Sequence, residues 1–218
     1  DAELRARAEV VIPGGMWGHM NAQALPPSYP QFFKQASGVL IKDVDGNEYI
    51  DFICGFGPMI LGYNDAEVEA AFESQRARLD ATNGPAEVMV ELAELLVKTI
   101  PAADWAMFSK NGTDATTACV TIARAQTKGR KILVAKGAYH GAAPWCTPRS
   151  DGTTAEDRAH LISYTFNDVA SLTAVCAQVG DDLAGILVSA FRHDARHDQE
   201  MPTQEFANAA RALAAQNN

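Results

Sequence analysis

From Pro101 onward, the sequence alternates between short β-prone segments and helical segments. The β-prone segments are 105–109, 131–135, 161–165 and 184–189, and the helical segments are 113–126, 168–178 and 203–215. Strands separated by helices indicate βαβ units and a mostly parallel sheet. Residues 132–135 and 186–188 are continuously apolar, as expected for strands that are covered on both faces. The sequence therefore predicts an α/β fold with helices flanking the sheet.

The residues before this region predict a smaller N-terminal lobe. Residues 2–11 predict a helix, and the proline-rich segment 16–37 predicts irregular structure. Asp45-Gly46 lies between two β-prone runs and predicts a hairpin over residues 39–52. Two further helices are predicted at 65–79, with Asp65 as the cap, and at 85–99. We expect residues 1–60 to form the N-terminal segment and hairpin lobe, and residues 61–218 to be the front part of a large α/β domain.

Composition and charge exclude several classes of function. The 218 residues carry a formal net charge of -9, which argues against nucleic acid or an anionic membrane as a partner. No apolar run is long enough to span a bilayer. The four cysteines have no CxxC pair or metal-ligand spacing, which argues against zinc ribbons and disulfide scaffolds. A cytoplasmic protein with small-molecule partners is expected.

Two junctions in the α/β region carry residues that suit a ligand. After 105–109, Gly112 and Thr113 begin a helix and offer backbone N–H groups, a hydroxyl and a positive helix end to a phosphate. After 131–135, Tyr139 and His140 lie where parallel sheets bind ligands. Each junction alone is more often an ordinary helix start or a loop aromatic on the core edge. Together they predict a site for a flat, phosphorylated cofactor.

Four segments in this order resemble a known family. They are Ile12-Pro13-Gly14-Gly15, the run from Asp45 to Phe52, Gly112-Thr113-Asp114-Ala115, and Tyr139-His140-Gly141. The chain resembles the class III aminotransferases, which are fold-type I pyridoxal-phosphate enzymes, and most of all their glutamate-1-semialdehyde aminomutase branch. The resemblance covers essentially the whole chain, which corresponds to roughly the first half of a typical member.

The resemblance implies a reaction, a cofactor and an assembly. The reaction is transfer of an amino group between an amine or amino acid and a keto acid or aldehyde, with intramolecular amino migration as the alternative. The cofactor is pyridoxal 5'-phosphate (PLP), and the assembly is a homodimer with its active sites at the subunit interface. The Schiff-base lysine of the family is expected beyond residue 218, so no catalytic residue is assigned.

The resemblance also assigns roles to five residues around the cofactor. Gly112 and Thr113 would bind the cofactor phosphate through N–H and hydroxyl donors. Asn111 stands where the family usually has serine, and its amide could also donate. Tyr139 would stack on the pyridine ring, and His140 beside it would shape the pocket.

Departures from the aminomutase branch bear on the substrate. Asn21 stands where that branch has an arginine for the substrate carboxylate, and Phe56 stands where it has tryptophan. Ser189-Ala190 replaces an expected glutamate-proline pair. These changes argue against glutamate-1-semialdehyde as the substrate. The residues considered for substrate contacts are Trp17, Asn21, Phe56 and Arg192, the last because it follows a strand end.

One motif suggests a different class of enzyme. His193-Asp194-Ala195-Arg196-His197 reads as H-D-x-x-H, which on a helix could bind zinc with Asp194 as the general base. The surrounding residues are mostly charged and leave no apolar stripe to bury such a helix. A solvated or pocket-lining loop is therefore favoured, and no metal site is predicted. A third possibility is a non-catalytic relative or a natural half-chain that binds a partner.

Overall fold

The computed structural model describes residues 1–17, 20–26, 28–192 and 198–216. The chain divides into two compact units, Asp1–Leu92 and Ala93–Asn218. None of the described helices combines the length and the hydropathy that crossing a bilayer requires.

The first unit contains one helix and a three-stranded antiparallel sheet near its start. Helix α1 covers Ala2–Val11, and strands β1, β2 and β3 cover Phe33–Ser37, Leu40–Asp43 and Glu48–Ile50 in that order across the sheet. The predicted hairpin is confirmed, since β2 and β3 pair antiparallel with Leu40 opposite Ile50. Its turn is closed by Asp43, whose carboxylate accepts from the Asn47 N–H at 2.8 Å.

Strand β1 corrects the prediction of irregular structure over residues 16–37. Its sequence, Phe-Lys-Gln-Ala-Ser, has no apolar alternation, and four of its five residues are exposed. The strand exists because β2 offers a hydrogen-bonding edge to it, with Ser37 opposite Leu40. Such pairing depends on the neighbouring strand and leaves no pattern in the local sequence.

Two predicted helices follow the hairpin. Helix α2 covers Ala66–Arg78, and the carboxylate of Asp65 caps it by accepting from the N–H groups of Glu67 and Val68 at 3.1 Å each. Helix α3 covers Glu87–Thr99. The apolar stripes predicted for both helices remain partly exposed, including Phe72 at 58% and Leu95 at 59%. Their apolar spacing is therefore not matched by burial within the described chain.

The second unit contains the predicted α/β arrangement. In chain order its helices and strands are α4 (Gly112–Thr127), β4 (Lys131–Ala135), α5 (Ala155–Arg158), β5 (Leu161–Tyr164), α6 (Val169–Val179), β6 (Leu183–Leu187) and α7 (Gln204–Gln216). The strands are parallel in the order β5-β4-β6. Successive side chains of β4 point to opposite faces. Leu133 packs with Leu172 of α6 and Phe206 of α7, while Ile132 packs with Val120 of α4. Both faces of the sheet are therefore covered, and the α/β prediction is confirmed.

The strand predicted at 105–109 is not formed. Residues 105–108 run without regular structure, and Trp105 and Met107 are 64% and 51% exposed. A strand needs a neighbouring strand for its N–H and C=O groups, and no described residue provides one to this segment. The apolar pattern of this segment alone could not show that a neighbouring strand is missing.

Candidate cofactor site

The loop after β4 is joined to the first turn of α4 by two hydrogen bonds. The hydroxyl of Thr113 accepts from the Ala142 N–H at 3.1 Å. The hydroxyl of Thr116, one turn further along the helix, donates to the carbonyl oxygen of His140 at 2.8 Å. The structure therefore brings together the two junctions that the sequence singled out, with Thr113 beside the segment that carries Tyr139 and His140.

Gly141 makes this close approach possible. A Cβ atom at this position would lie 2.7 Å from the Thr113 hydroxyl oxygen and 3.1 Å from the Thr113 Cα. The φ angle of Gly141 is 129°, which side chains rarely allow. Only glycine satisfies both the close distance and the φ angle, so the contact between the loop and the helix depends on Gly141.

Asn111 is the N-cap of α4. Its side-chain oxygen accepts from the Asp114 N–H at 3.0 Å, and its amide nitrogen donates to the Asp114 carboxylate at 3.0 Å. One amide hydrogen is therefore bound within the cap, and the other remains for a ligand. The predicted role of Asn111 in phosphate binding rests on that second hydrogen.

The N–H groups of Gly112 and Thr113 precede the first hydrogen bond within the helix. That bond runs from the Ala115 N–H to the Asn111 carbonyl at 3.2 Å. Among the residues that the structure describes, no acceptor is found for either N–H group. A Cβ built on Gly112 would have no atom within 4 Å, so the space beside this backbone is open. Two backbone donors without a described acceptor therefore stand at the positive end of a 16-residue helix, next to open space.

The donor set fits the phosphate of PLP. Because the Thr113 hydroxyl already accepts from Ala142, its own proton is left to donate outward. Together with the N–H groups of Gly112 and Thr113, it gives three donors at one helix start, where an anion is favoured. The phosphate-binding roles of these residues remain predictions that this chemistry supports.

Tyr139 and His140 continue from the carboxyl end of β4. The side chain of Tyr139 is 42% exposed, so part of its ring is accessible to a ligand. His140 is half-buried, and its backbone is held by the bond from Thr116. Stacking by Tyr139 and pocket shaping by His140 stay predictions.

Three of the predicted substrate residues lie in the first unit. Trp17 and Phe56 are 69% and 74% exposed. The side chain of Asn21 accepts from the Gln23 N–H at 2.9 Å and thereby caps a short helical turn, Ala22–Ala24. The contact of these three residues with a substrate stays a prediction.

Arg192 already has an ionic partner. Its backbone N–H donates to the Glu200 carbonyl at 2.7 Å, and its guanidinium lies 3.8 Å from the Glu200 carboxylate. A substrate carboxylate would have to compete with that ion pair. The prediction that Arg192 contacts the substrate therefore rests only on its position after the end of a strand.

The zinc motif lies outside the described residues, because His193, Asp194 and His197 fall in the segment 193–197. Across the described ranges, no group of three histidine, cysteine, aspartate or glutamate side chains could hold a metal ion.

Comparison with known proteins agrees with the geometry. Residues 22–218 match the family model for class-III aminotransferases. An aminopentol aminotransferase of Sphingopyxis macrogoltabida is 49% identical over 209 residues, covering 96% of this chain and 50% of the relative. A glutamate-1-semialdehyde 2,1-aminomutase of Natronomonas pharaonis is 36% identical over 195 residues, covering 85% and 43%. The chain spans about half the length of the curated relatives that it matches.

A solved structure gives the same fold. The PLP internal aldimine form of the FumI protein of Sphingopyxis sp. MTA144 superimposes with a TM-score of 0.96 at 48% identity, covering 99% of this chain and 52% of that one. The fold is therefore that of the fold-type I PLP enzymes, as the resemblance implied, and the cofactor prediction of pyridoxal 5'-phosphate is confirmed. Family match, relatives and fold all lead to one conclusion: this chain belongs to the class-III aminotransferases.

Proposed function

We propose that the complete protein transfers an amino group between an amino compound and a keto acid or aldehyde, with PLP as its cofactor. The observation that carries the proposal is the donor set at the start of α4. The N–H groups of Gly112 and Thr113 have no acceptor among the described residues, the space beside Gly112 is open, and the Thr113 hydroxyl is hydrogen-bonded to the loop after β4. Such a set binds an anionic phosphate and fixes one end of the cofactor.

The chain's own residues would hold and orient the cofactor. Gly112, Thr113 and the second amide hydrogen of Asn111 bind its phosphate, while Tyr139 stacks on its ring and His140 borders it. An offset aromatic contact of this kind contributes about 0.5–1.5 kcal/mol beyond area burial. PLP supplies the electron sink that allows an amino compound to lose its α-proton. The lysine that moves the proton is expected beyond residue 218.

The substrates are proposed from the relatives and from the residues that depart from the aminomutases. The 49% identity to an aminopentol aminotransferase supports an amino compound of that kind as the donor and a keto acid as the acceptor. The 36% identity to an aminomutase supports amino migration as the second candidate. Asn21 and Phe56, which stand where the aminomutase branch has arginine and tryptophan, favour the aminotransferase.

We also propose a cytoplasmic homodimer whose chain is organised as 1–60 and 61–218. In the described part of the chain, thirty-one large apolar residues are 37% exposed or more, among them Phe52, Ile60 and Leu61 after the hairpin. Exposed apolar surface of this kind supports a further protein surface that covers it. The four cysteines are all free thiols, which suits a reducing compartment.

The test uses the complete protein, purified and supplied with PLP. We expect bound PLP, seen as cofactor absorbance that remains with the protein through gel filtration, and amino transfer that requires an added keto acid. Conversion of an amino aldehyde without an acceptor would favour the aminomutase. Failure to retain PLP at saturating concentration would contradict the proposal.

A further inference from the structure

The loop after strand β4 does not rest fully on the sheet. A cavity of about 180 Å³ lies between this loop and strands β4 and β5. Its lining includes Gly137, His140 and Trp145 from the loop, and Val134 and Ser163 from the strands. Side chains that border a cavity lose packing contacts on that side. Hydrogen bonds to α4 therefore carry much of the task of fixing the loop.

Three threonines of α4 make these hydrogen bonds. Thr113, Thr116 and Thr117 lie on one face of the helix, because residues three and four apart are neighbours there. The first two bind the loop through the backbone contacts described above. Thr117 adds a side-chain contact, since its hydroxyl accepts from the indole N–H of Trp145 at 2.9 Å. The far end of the loop is thus bonded to the same helix face.

Trp145 is held by the core as well as by Thr117. It packs against the buried cluster of Val120, Ile132 and Ala184. A tryptophan in such a place combines a large apolar contact with one polar group that needs a partner. The indole therefore has one defined position against α4 and the sheet.

A closed turn carries this position to Ala142. The N–H groups of Cys146 and Thr147 both donate to the Ala143 carbonyl, at 2.9 Å and 2.8 Å, and this closes a turn around Trp145. Ala142 directly precedes the turn. The position of its N–H group therefore follows that of the turn.

The Ala142 N–H determines where the Thr113 hydroxyl can donate. The hydroxyl oxygen accepts from this N–H at 3.1 Å, so its proton is left for a partner outside the loop. Without a fixed N–H, the Thr113 side chain would be freer to change rotamer. The cost of ordering it would then fall on phosphate binding.

We propose that Trp145 is a positioning residue for the cofactor phosphate. Its bond to Thr117 fixes the loop, and the Ala142 N–H then orients the Thr113 hydroxyl. The inference rests on the proposed function, in which Thr113 binds the phosphate. All four residues belong to the compact unit Ala93–Asn218, so the whole chain of contacts lies within one unit.

The experiment is Thr117→Val in the complete protein, which keeps the shape of the side chain and removes the acceptor. We expect the dissociation constant of PLP, titrated onto the cofactor-free protein, to rise about fivefold, the size of one hydrogen bond between neutral groups. Trp145→Phe removes the donor and keeps an aromatic ring, and it should have a similar effect. In both cofactor-free variants, hydrogen exchange should become faster in peptides covering residues 136–142.

A double variant tests whether the effect passes through Thr113. In Thr113→Val the hydroxyl that the loop orients is absent. Adding Thr117→Val to it should therefore raise the dissociation constant no further, because the two residues act in series. A purely structural role of Thr117 would instead give additive effects.

Thr127→Val is the matched control on the same helix. Its hydroxyl accepts from the Gly129 N–H at 3.1 Å and donates to the Ala123 carbonyl at 2.9 Å, at the opposite end of α4. The variant therefore also loses a contact between α4 and the chain that follows it. We expect a lower melting temperature and an unchanged dissociation constant of PLP.

The inference is overturned by an unchanged dissociation constant in Thr117→Val or Trp145→Phe, by an equal rise in Thr127→Val, or by additive effects in the double variant. These outcomes leave the proposed function intact, provided that the unaltered protein retains PLP. If the unaltered protein binds no PLP, the proposed function itself fails, and the role of Trp145 fails with it.

Discussion

In the proposed phosphate site, the hydroxyl of Thr113 is the side-chain group at the helix start on which binding should depend most. It accepts from Ala142, and its proton is available to a phosphate oxygen. We expect Thr113→Val, which keeps the shape and removes the hydroxyl, to weaken PLP binding roughly tenfold or more, since hydrogen bonds to charged groups contribute about 1.5–3 kcal/mol. The dissociation constant of PLP, measured by titration of the cofactor-free protein, checks this.

Thr121→Val is the control for that substitution. The hydroxyl of Thr121 donates to the Thr117 carbonyl at 2.8 Å, on the same helix and two turns from its start. Its loss should leave the PLP dissociation constant unchanged. Equal affinities in all three proteins would remove Thr113 from the phosphate site.

Gly141 permits the loop to reach α4, and its replacement tests that contact. In Gly141→Ala the new Cβ would lie 2.7 Å from the Thr113 hydroxyl oxygen, and the φ of 129° would be strained. We expect a lower melting temperature and weaker PLP binding together. In Gly152→Ala, where φ is 79° and no atom lies within 4 Å, we expect a loss of stability alone. Full PLP affinity in Gly141→Ala would contradict the prediction.

At this scale, the sequence predicts residues whose chemistry is local. Gly112 and Thr113 could be placed at the start of a helix because a helix start is recognisable from its own neighbours. Thr116 was missed, although it joins the helix to His140, because its partner is 24 residues away. The one signal for it was its spacing of three residues from Thr113, which puts both threonines on one helix face.

At the scale of elements, the hairpin of β2 and β3 has a pH-dependent contribution to stability. Desolvation alone would raise the pKa of Asp43, but hydrogen bonds from the side chain and backbone of Asn47 and from the Tyr49 phenol outweigh it, and the pKa falls from 3.8 to about 2. A carboxyl with a lowered pKa stabilises the folded state above its unfolded pKa. That stabilisation is lost as the pH falls from about 4 to about 2.

Asp43→Asn tests this contribution. We expect the variant to have a smaller free energy of unfolding than the unaltered protein at neutral pH, and the difference to shrink as the pH falls below about 4. Urea titrations of both proteins across this range measure it. Asp151→Asn, at an exposed turn position, is the control and should leave the free energy of unfolding nearly unchanged. A constant difference for Asp43→Asn across the range would contradict the assignment.

The elements that were predicted correctly carry their identifying residues in their own sequence or directly next to it. Asp65 predicts the start of helix α2, and Asp45-Gly46 predicts the hairpin, because helix caps and tight turns need particular residues. The predictions for residues 33–37, which form strand β1, and for residues 105–109, which form no strand, were wrong for the same reason. Whether an extended segment becomes a strand depends on a neighbour that lies elsewhere in the chain.

At the scale of the whole molecule, the proposed cofactor contacts all belong to one of the two compact units. Asn111, Gly112, Thr113, Tyr139 and His140 lie within Ala93–Asn218, whereas the hairpin lies within Asp1–Leu92. A ligand that binds only the folded state adds about 2.7 kcal/mol of stability at a hundred times its dissociation constant. The amides that bind it directly gain protection as well.

Hydrogen exchange of the complete protein, with and without PLP, therefore distinguishes the units. We expect the strongest protection in peptides that cover residues 109–116 and 136–142, because the N–H groups of Gly112 and Thr113 gain an acceptor and the loop beside them is ordered. Peptides from the hairpin, residues 40–50, should change least. At the same PLP concentration, Thr113→Val should reduce the protection at 109–116. Protection confined to the hairpin would mean that PLP binds elsewhere, and the site at the start of α4 would have to be abandoned.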